Sequence, residues 1–170
     1  DGKRVPWMPS PNFNKGFNAD PKFLVMHYTA GSGYKGSVDW LTRTAAKASA
    51  HLVIGRDGSV VQLVSFTDRS WHAGKSRWRA ADGKTYKGLN HSSIGIELAN
   101  AGACQETAAG TWKNDLGVRV DGDDIVVAQH RNGPVWFEGK KPGLVKGNVT
   151  SPGWEIYPEP QMRASREIAA

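Results

Sequence analysis

Six residues of this 170-residue chain have types and settings that could do chemistry: His27, His51, His72, His91, His130 and Glu97. His27 closes an apolar run, Phe23-Leu-Val-Met26, and is followed at once by Thr29-Ala-Gly-Ser-Gly33. An imidazole placed where a rigid element opens into a glycine-rich loop suits a catalytic or ligand role, and equally a strand-end histidine bonded to a backbone carbonyl. His72 lies in Trp71-His72-Ala73-Gly74. There an aromatic face for stacking and a directional hydrogen-bonding ring suit a sugar or peptide groove, unless the indole simply plugs the edge of the core. His51 opens another apolar run and by itself reads as structural. Glu97 interrupts the apolar stretch Ile94–Leu98. A carboxylate is costly to bury there without a partner or a task, and a raised pKa would suit general acid–base work.

Zinc chemistry needs three protein ligands and an open position for water, and neutral imidazole and carboxylate can serve. Spacing alone does not prove that His27 binds metal. No His-Glu-x-x-His motif occurs, which excludes a metalloprotease helix. Cys104 has nothing in its surroundings to activate it, and no Gly-x-Ser-x-Gly elbow exists. Neither Gly31-Ser-Gly33 nor Gly55-Arg-Asp-Gly58 matches a phosphate-binding loop.

The elements that position these residues follow from the apolar pattern. Phe23–Met26 is too short for a buried helix and predicts a strand. Ser37 suits a helix N-cap, and Val38, Leu41, Ala45 and Ala48 at helical spacing predict a helix over 38–48. Leu52–Ile54 and Ser59–Val64 flank Gly55-Arg-Asp57-Gly58, which predicts a hairpin because Asp-Gly tolerates positive φ. Ile94–Leu98 is a further strand. Residues 101–150 read as a glycine-rich, polar insertion with short strands such as Ile125–Ala128. From Pro160, the spacing of Met162, Ala164 and Ile168 begins a helix that the chain does not complete. Residues 1–22, with four prolines, read as an irregular arm, and 23–170 as a single domain. The fold class expected is α/β, with a mixed central sheet flanked by helices.

Composition agrees with a single globular domain of 39% hydrophobic and 22% charged residues. No apolar stretch approaches the ~20 residues of a membrane-spanning helix. One cysteine excludes an internal disulfide framework. The net charge of +6 favours an anionic partner. The basic residues are scattered without a run of five, which argues against nucleic acid, and any anionic polymer, including a bacterial cell wall, suits this charge equally well.

Read in order, Val25-Met-His27-Tyr28-Thr29-Ala30, Ser49-Ala50-His51 through Asp57-Gly58, Trp71-His72-Ala73-Gly74 and Asn90 through Ile94-Gly95-Ile96-Glu97-Leu98 resemble the zinc-dependent N-acetylmuramoyl-L-alanine amidases. These share a fold with phage lysozyme-type amidases and peptidoglycan recognition proteins. Gln129-His130-Arg-Asn132 and Trp154 through Tyr157-Pro158 resemble a branch with an insertion after the fourth motif. The likeness runs over residues 23–170.

The resemblance implies a peptidoglycan amidase that cuts between N-acetylmuramic acid and L-alanine. It implies His27 as a zinc ligand and Glu97 as the acid–base residue on a zinc-activated water. Trp71 and His72 would line the substrate groove, with Asn90 bracing it. Tyr28 and Thr29 would shape the floor, and His51 would support the site rather than bind metal. The family draws its other two zinc ligands from a segment after the C-terminal helix, so they are expected beyond Ala170. The alternatives are that His130, with Asp121, Asp123 or Asp124, replaces them, or that the chain is a non-catalytic muropeptide-binding module. A bacterial periplasmic or envelope setting is expected, with the cytoplasm as alternative. The sequence leaves the oligomeric state open.

Overall fold

The computed structural model describes residues 4–17, 20–31, 33–127 and 153–170. The arm supplies a two-residue strand, β1 (Phe13–Asn14), and the first apolar run forms β2 (Phe23–Tyr28). Helix α1 (Tyr34–Leu41) follows, then the hairpin of β3 (Leu52–Ile54) and β4 (Val60–Gln62). Short strands β5 (Arg69–Ser70), β6 (Arg77–Arg79) and β7 (Thr85–Lys87) lead to β8 (Ser93–Leu98). After them come β9 (Ala103–Glu106), β10 (Trp112–Lys113), β11 (Arg119–Val120), β12 (Ile125–Val127), β13 (Gly153–Glu155) and helix α2 (Glu159–Ala169).

The central sheet has the order β2-β8-β3-β4. β8 runs parallel to both β2 and β3, while β3 and β4 pair antiparallel. This is the expected mixed sheet. Alternation sorts its side chains between two layers. Val53 and Val61 join Val38 and Leu41 of α1 in one buried cluster. Leu52, Ile54, Ile96 and Leu98 face the other way, against Ala164 and Ile168 of α2 and Tyr157. Helix α2 is pinned there by the fully buried Gln161, whose Nε2 donates to the carbonyls of Ile54 (3.0 Å) and Ala99 (3.1 Å). A polar residue thus docks the helix through carbonyls at the strand ends, the Ile54 oxygen also accepting from the Ala99 amide at 2.9 Å.

The first helix departs from the predicted 38–48. It starts at Tyr34, capped by an extended Gly33, and Ser37 lies inside it with its Oγ donating to the Gly33 carbonyl at 2.9 Å. It stops at Leu41 because the Thr42 hydroxyl bonds back to the Val38 carbonyl (2.9 Å) and Arg43 turns extended. Only a short 3₁₀ turn, Thr44–Ala46, follows. Side-chain bonding to the backbone competed with the helix and ended it.

The N-terminal arm is irregular but fixed. Its backbone bonds both ways with Gln62 on β4, and the Ser10 hydroxyl donates to the Leu41 carbonyl at 2.6 Å. The insertion, in its described part, is more ordered than its composition suggests. It contributes to an antiparallel sheet of order β11-β10-β9-β13-β12. Arg56, in the β3–β4 turn, fastens that sheet to the central one by ion pairs to Asp124 (2.9 Å) and Glu155 (2.8 Å).

Candidate active site

β2 and β8 end side by side, and their parallel register puts His27 directly opposite Glu97. Register partners share a sheet face, and neighbouring strands lie about 4.8 Å apart. The two candidate chemical groups therefore come together through backbone pairing rather than through a loop.

Three imidazoles cluster on this face. His27 Nε2 lies 2.9 Å from His72 Nδ1, and the two rings meet edge to face. Hydrogen-bond partners assign the protons. The Ser93 hydroxyl donates to the Leu89 carbonyl (2.6 Å), so it must accept from His72 Nε2 (3.1 Å). His72 Nδ1 is then an acceptor, His27 Nε2 the donor to it, and His27 Nδ1 keeps a lone pair. Burial holds the His27 pKa below its ordinary value. Burial, and then the neighbouring His27 and His51, push His72 down to about 3. The pair is neutral near pH 7, the form in which imidazole binds metal.

His51 lies beneath the other two rings and is fully buried. Its Nε2 donates to the Asp68 carbonyl (2.9 Å), and its Nδ1 accepts from the Gly95 amide (3.0 Å) and the Ser70 hydroxyl (2.9 Å). Phe17 and Phe66 stack on its two sides. It has no exposed surface, and both its nitrogens are engaged.

Gly95 is the position that sequence reasoning quoted without giving it a task. Its amide and carbonyl both bond His51, and a Cβ there would sit 2.2 Å from His72 Cγ. The signal available was an isolated glycine inside an apolar strand, which marks a close approach. Asn90 accepts from the amides of His72 (3.1 Å) and Ala73 (2.7 Å), so it braces the loop from behind. Trp71 donates its indole N–H to Asn14 Oδ1 at 2.7 Å, which ties the loop to the arm. Tyr28 follows His27 on the strand and so faces away from it, with its ring over Gly102. Thr29 holds the turn after β2, accepting from the amides of Gly31 and Asn100. His91 Nδ1 lies 2.6 Å from the Arg69 guanidinium. His130 lies outside the described residues.

Glu97 opens onto a cavity of about 440 Å³ between the Thr29–Gly33 turn, α1 and the β10–β11 turn. Its Oε2 is buried and has no hydrogen-bond partner among the described residues. Burial pushes its carboxyl up to about 7. An unpaired buried carboxyl poised near neutrality is what proton transfer requires. Trp71 and His72 do not line this cavity, whereas Trp40, Leu116 and Val118 do.

The described residues do not complete a metal centre. No group of three His, Cys, Asp or Glu among them could hold an ion, and His27 alone cannot.

The family model described as N-acetylmuramoyl-L-alanine amidase matches residues 17–170. The chain belongs to that family. Among the chain's relatives, the 1,6-anhydro-N-acetylmuramyl-L-alanine amidase AmpD of Haemophilus influenzae is 35% identical over 107 residues, covering 52% of this chain and 55% of the relative. The N-acetylmuramoyl-L-alanine amidase AmiD of Escherichia coli is 34% identical over 105 residues, covering 58% of this chain and 32% of its own length. The match thus spans about half of one relative and a third of the other. In solved structures, E. coli AmiD in complex with the substrate anhydro-N-acetylmuramic acid-L-Ala-D-γ-Glu-L-Lys superposes with a TM-score of 0.52 at 26% identity, over 88% of this chain and 41% of AmiD. AmpDh3 of Pseudomonas aeruginosa, in complex with anhydromuramic pentapeptide, gives 0.50 at 25%, over 88% and 43%. The central sheet, with helices on both faces, agrees with these neighbours. No described helix is long and apolar enough to cross a membrane.

Proposed function

We propose that this amidase hydrolyses the amide bond between N-acetylmuramic acid and L-alanine in peptidoglycan or its fragments, with Glu97 as the general base and then the general acid. The observation that carries this reading is the unpaired carboxyl of Glu97, buried at the end of β8 opposite His27 and open to a cavity. As carboxylate it accepts a proton from the attacking water. As carboxylic acid it returns that proton to the leaving alanine nitrogen, which departs as a neutral amine. A group near pH 7 does both with little penalty in either direction. The basic surface suits a partner whose stem peptides carry carboxylates. That substrate sets the expected location in or near the bacterial envelope.

Zn²⁺ is the proposed cofactor on the strength of the family, with His27 as its one ligand among the described residues. Its lone pair at Nδ1 and its neutral ring are compatible with that role. Elemental analysis of the purified chain tests it. Glu97→Gln keeps the shape of the site and removes the proton acceptor. Release of peptide from N-acetylmuramoyl-L-alanine substrates is expected to fall by about 10²–10⁴-fold, with muropeptide affinity retained. Unchanged turnover in that variant removes Glu97 from the mechanism. Muropeptide binding by the unsubstituted chain with no turnover under any metal condition would favour the non-catalytic binding module instead.

A further inference from the structure

We propose that the turn joining β10 to β11, together with Trp40 on α1, is the wall that binds the uncharged sugar end of the substrate, and that Asn114 is the residue that positions it. The inference rests on the amidase reading and deepens it. Trp40 is 51% exposed and Leu116 is 74% exposed, although both are large and apolar and both border the Glu97 cavity. Val118 completes the apolar side, and the opposite side is largely glycine backbone. Among the described residues no Lys, Arg or His lines the cavity, and the one ionisable group that does is acidic. Stem-peptide carboxylates meet no described cation there, only apolar side chains and the Glu97 carboxyl. An N-acetylated sugar joined through its lactyl amide carries no charge. Its C–H faces suit an indole, and its acetyl methyl suits Leu116 and Val118.

The turn is not held by its own strands alone. Asn114 is 8% exposed, and all the bonding capacity of its side-chain amide is used. Its Nδ2 donates to the carbonyls of Ala30 (2.9 Å) and Ala101 (3.0 Å). Its Oδ1 accepts from the amides of Leu116 (3.0 Å) and Val118 (2.9 Å). One side chain therefore shapes the turn that presents the two apolar residues and fastens it to Ala30, on the cavity's far rim. Ala30 itself holds a left-handed backbone, φ 54.

The test compares two probes by calorimetric titration of the Glu97→Gln chain, which binds without turnover. One probe is N-acetylmuramoyl-L-alanyl-D-isoglutamine, and the other is the same dipeptide without the sugar. The sugar-bearing probe is expected to bind roughly tenfold more tightly. Adding Trp40→Ala, or Leu116→Ser with Val118→Ser, should bring that ratio close to one and leave the sugar-free affinity unchanged. Asn114→Ala should lower the ratio likewise, where a general loss of structure would weaken both probes together. A ratio that survives in all three variants overturns the inference and leaves the amidase reading standing. Loss of the sugar-free affinity alone shows that the wall reads the stem peptide, which also overturns it. Failure of the chain, with Glu97 intact or substituted, to bind either probe sinks the amidase reading and this inference with it.

Discussion

A carboxyl held near pH 7 is a stability element as well as a chemical one. Burial raises Glu97 from 4.5 to about 7, so the native state binds this proton more tightly than the unfolded chain. The stability it contributes is full below about pH 4.5 and is lost as the pH rises through about 7. Above that, the ionised group costs roughly 3 kcal/mol. Denaturant unfolding of metal-free protein should therefore show Glu97→Gln gaining stability relative to the unsubstituted chain between pH 5 and pH 8; parallel pH curves for the two proteins refute this. Gly95 makes the complementary case, a residue whose value is the absence of a side chain. Gly95→Ala should expel the His72 ring and break its bond to His27, at about 1–3 kcal/mol of overpacking. A fall in Tm together with altered ¹⁵N shifts of His27 checks this, and unmoved shifts would show that the ring accommodates the methyl.

Among the elements, strands were more readable than helix ends. β2, β3 and β8 announce themselves as short apolar runs, and the Asp-Gly turn between β3 and β4 follows from backbone preference, with Gly58 at φ +85. The limits of α1 were not readable, because Ser37 and Thr42 each bond to a carbonyl one turn back rather than capping an end. The docking of α2 was hidden for a related reason. Periodicity pointed to Met162, Ala164 and Ile168, yet the most buried residues are Gln161, which bonds the distant Ile54 and Ala99 carbonyls, and Ser165, which bonds the Gln161 carbonyl one turn back. At the site, His27 and Glu97 were legible as candidates from type and setting. Their pairing was not, since a register between distant strands leaves no trace in local pattern. Trp40, Asn114 and Leu116 escaped notice altogether, because exposed apolar residues and a loop asparagine are ordinary until a cavity places them together.

For the molecule as a whole, two sheets share the work, and Arg56 is their fastening. Its guanidinium bonds Asp124, Glu155 and the Ile156 carbonyl, and only 26% of its side chain is exposed. Arg56→Ala should destabilise the chain by about 1–3 kcal/mol, because the largely buried Glu155 loses its cation. Amide hydrogen exchange should quicken in β9, β12 and β13 while β2, β3 and β8 keep their protection; uniform quickening would mean that the two sheets melt as one. The fold thereby divides the site by rigidity. His27 and Glu97 are adjacent rungs of one parallel ladder and cannot part without tearing it. The apolar turn opposite is one short hairpin, fastened to the far rim by a single asparagine side chain. On warming, such a protein loses its grip on the substrate before it loses the means to cut it. Its heat sensitivity would be felt first as a demand for more substrate and only later as a failure of chemistry.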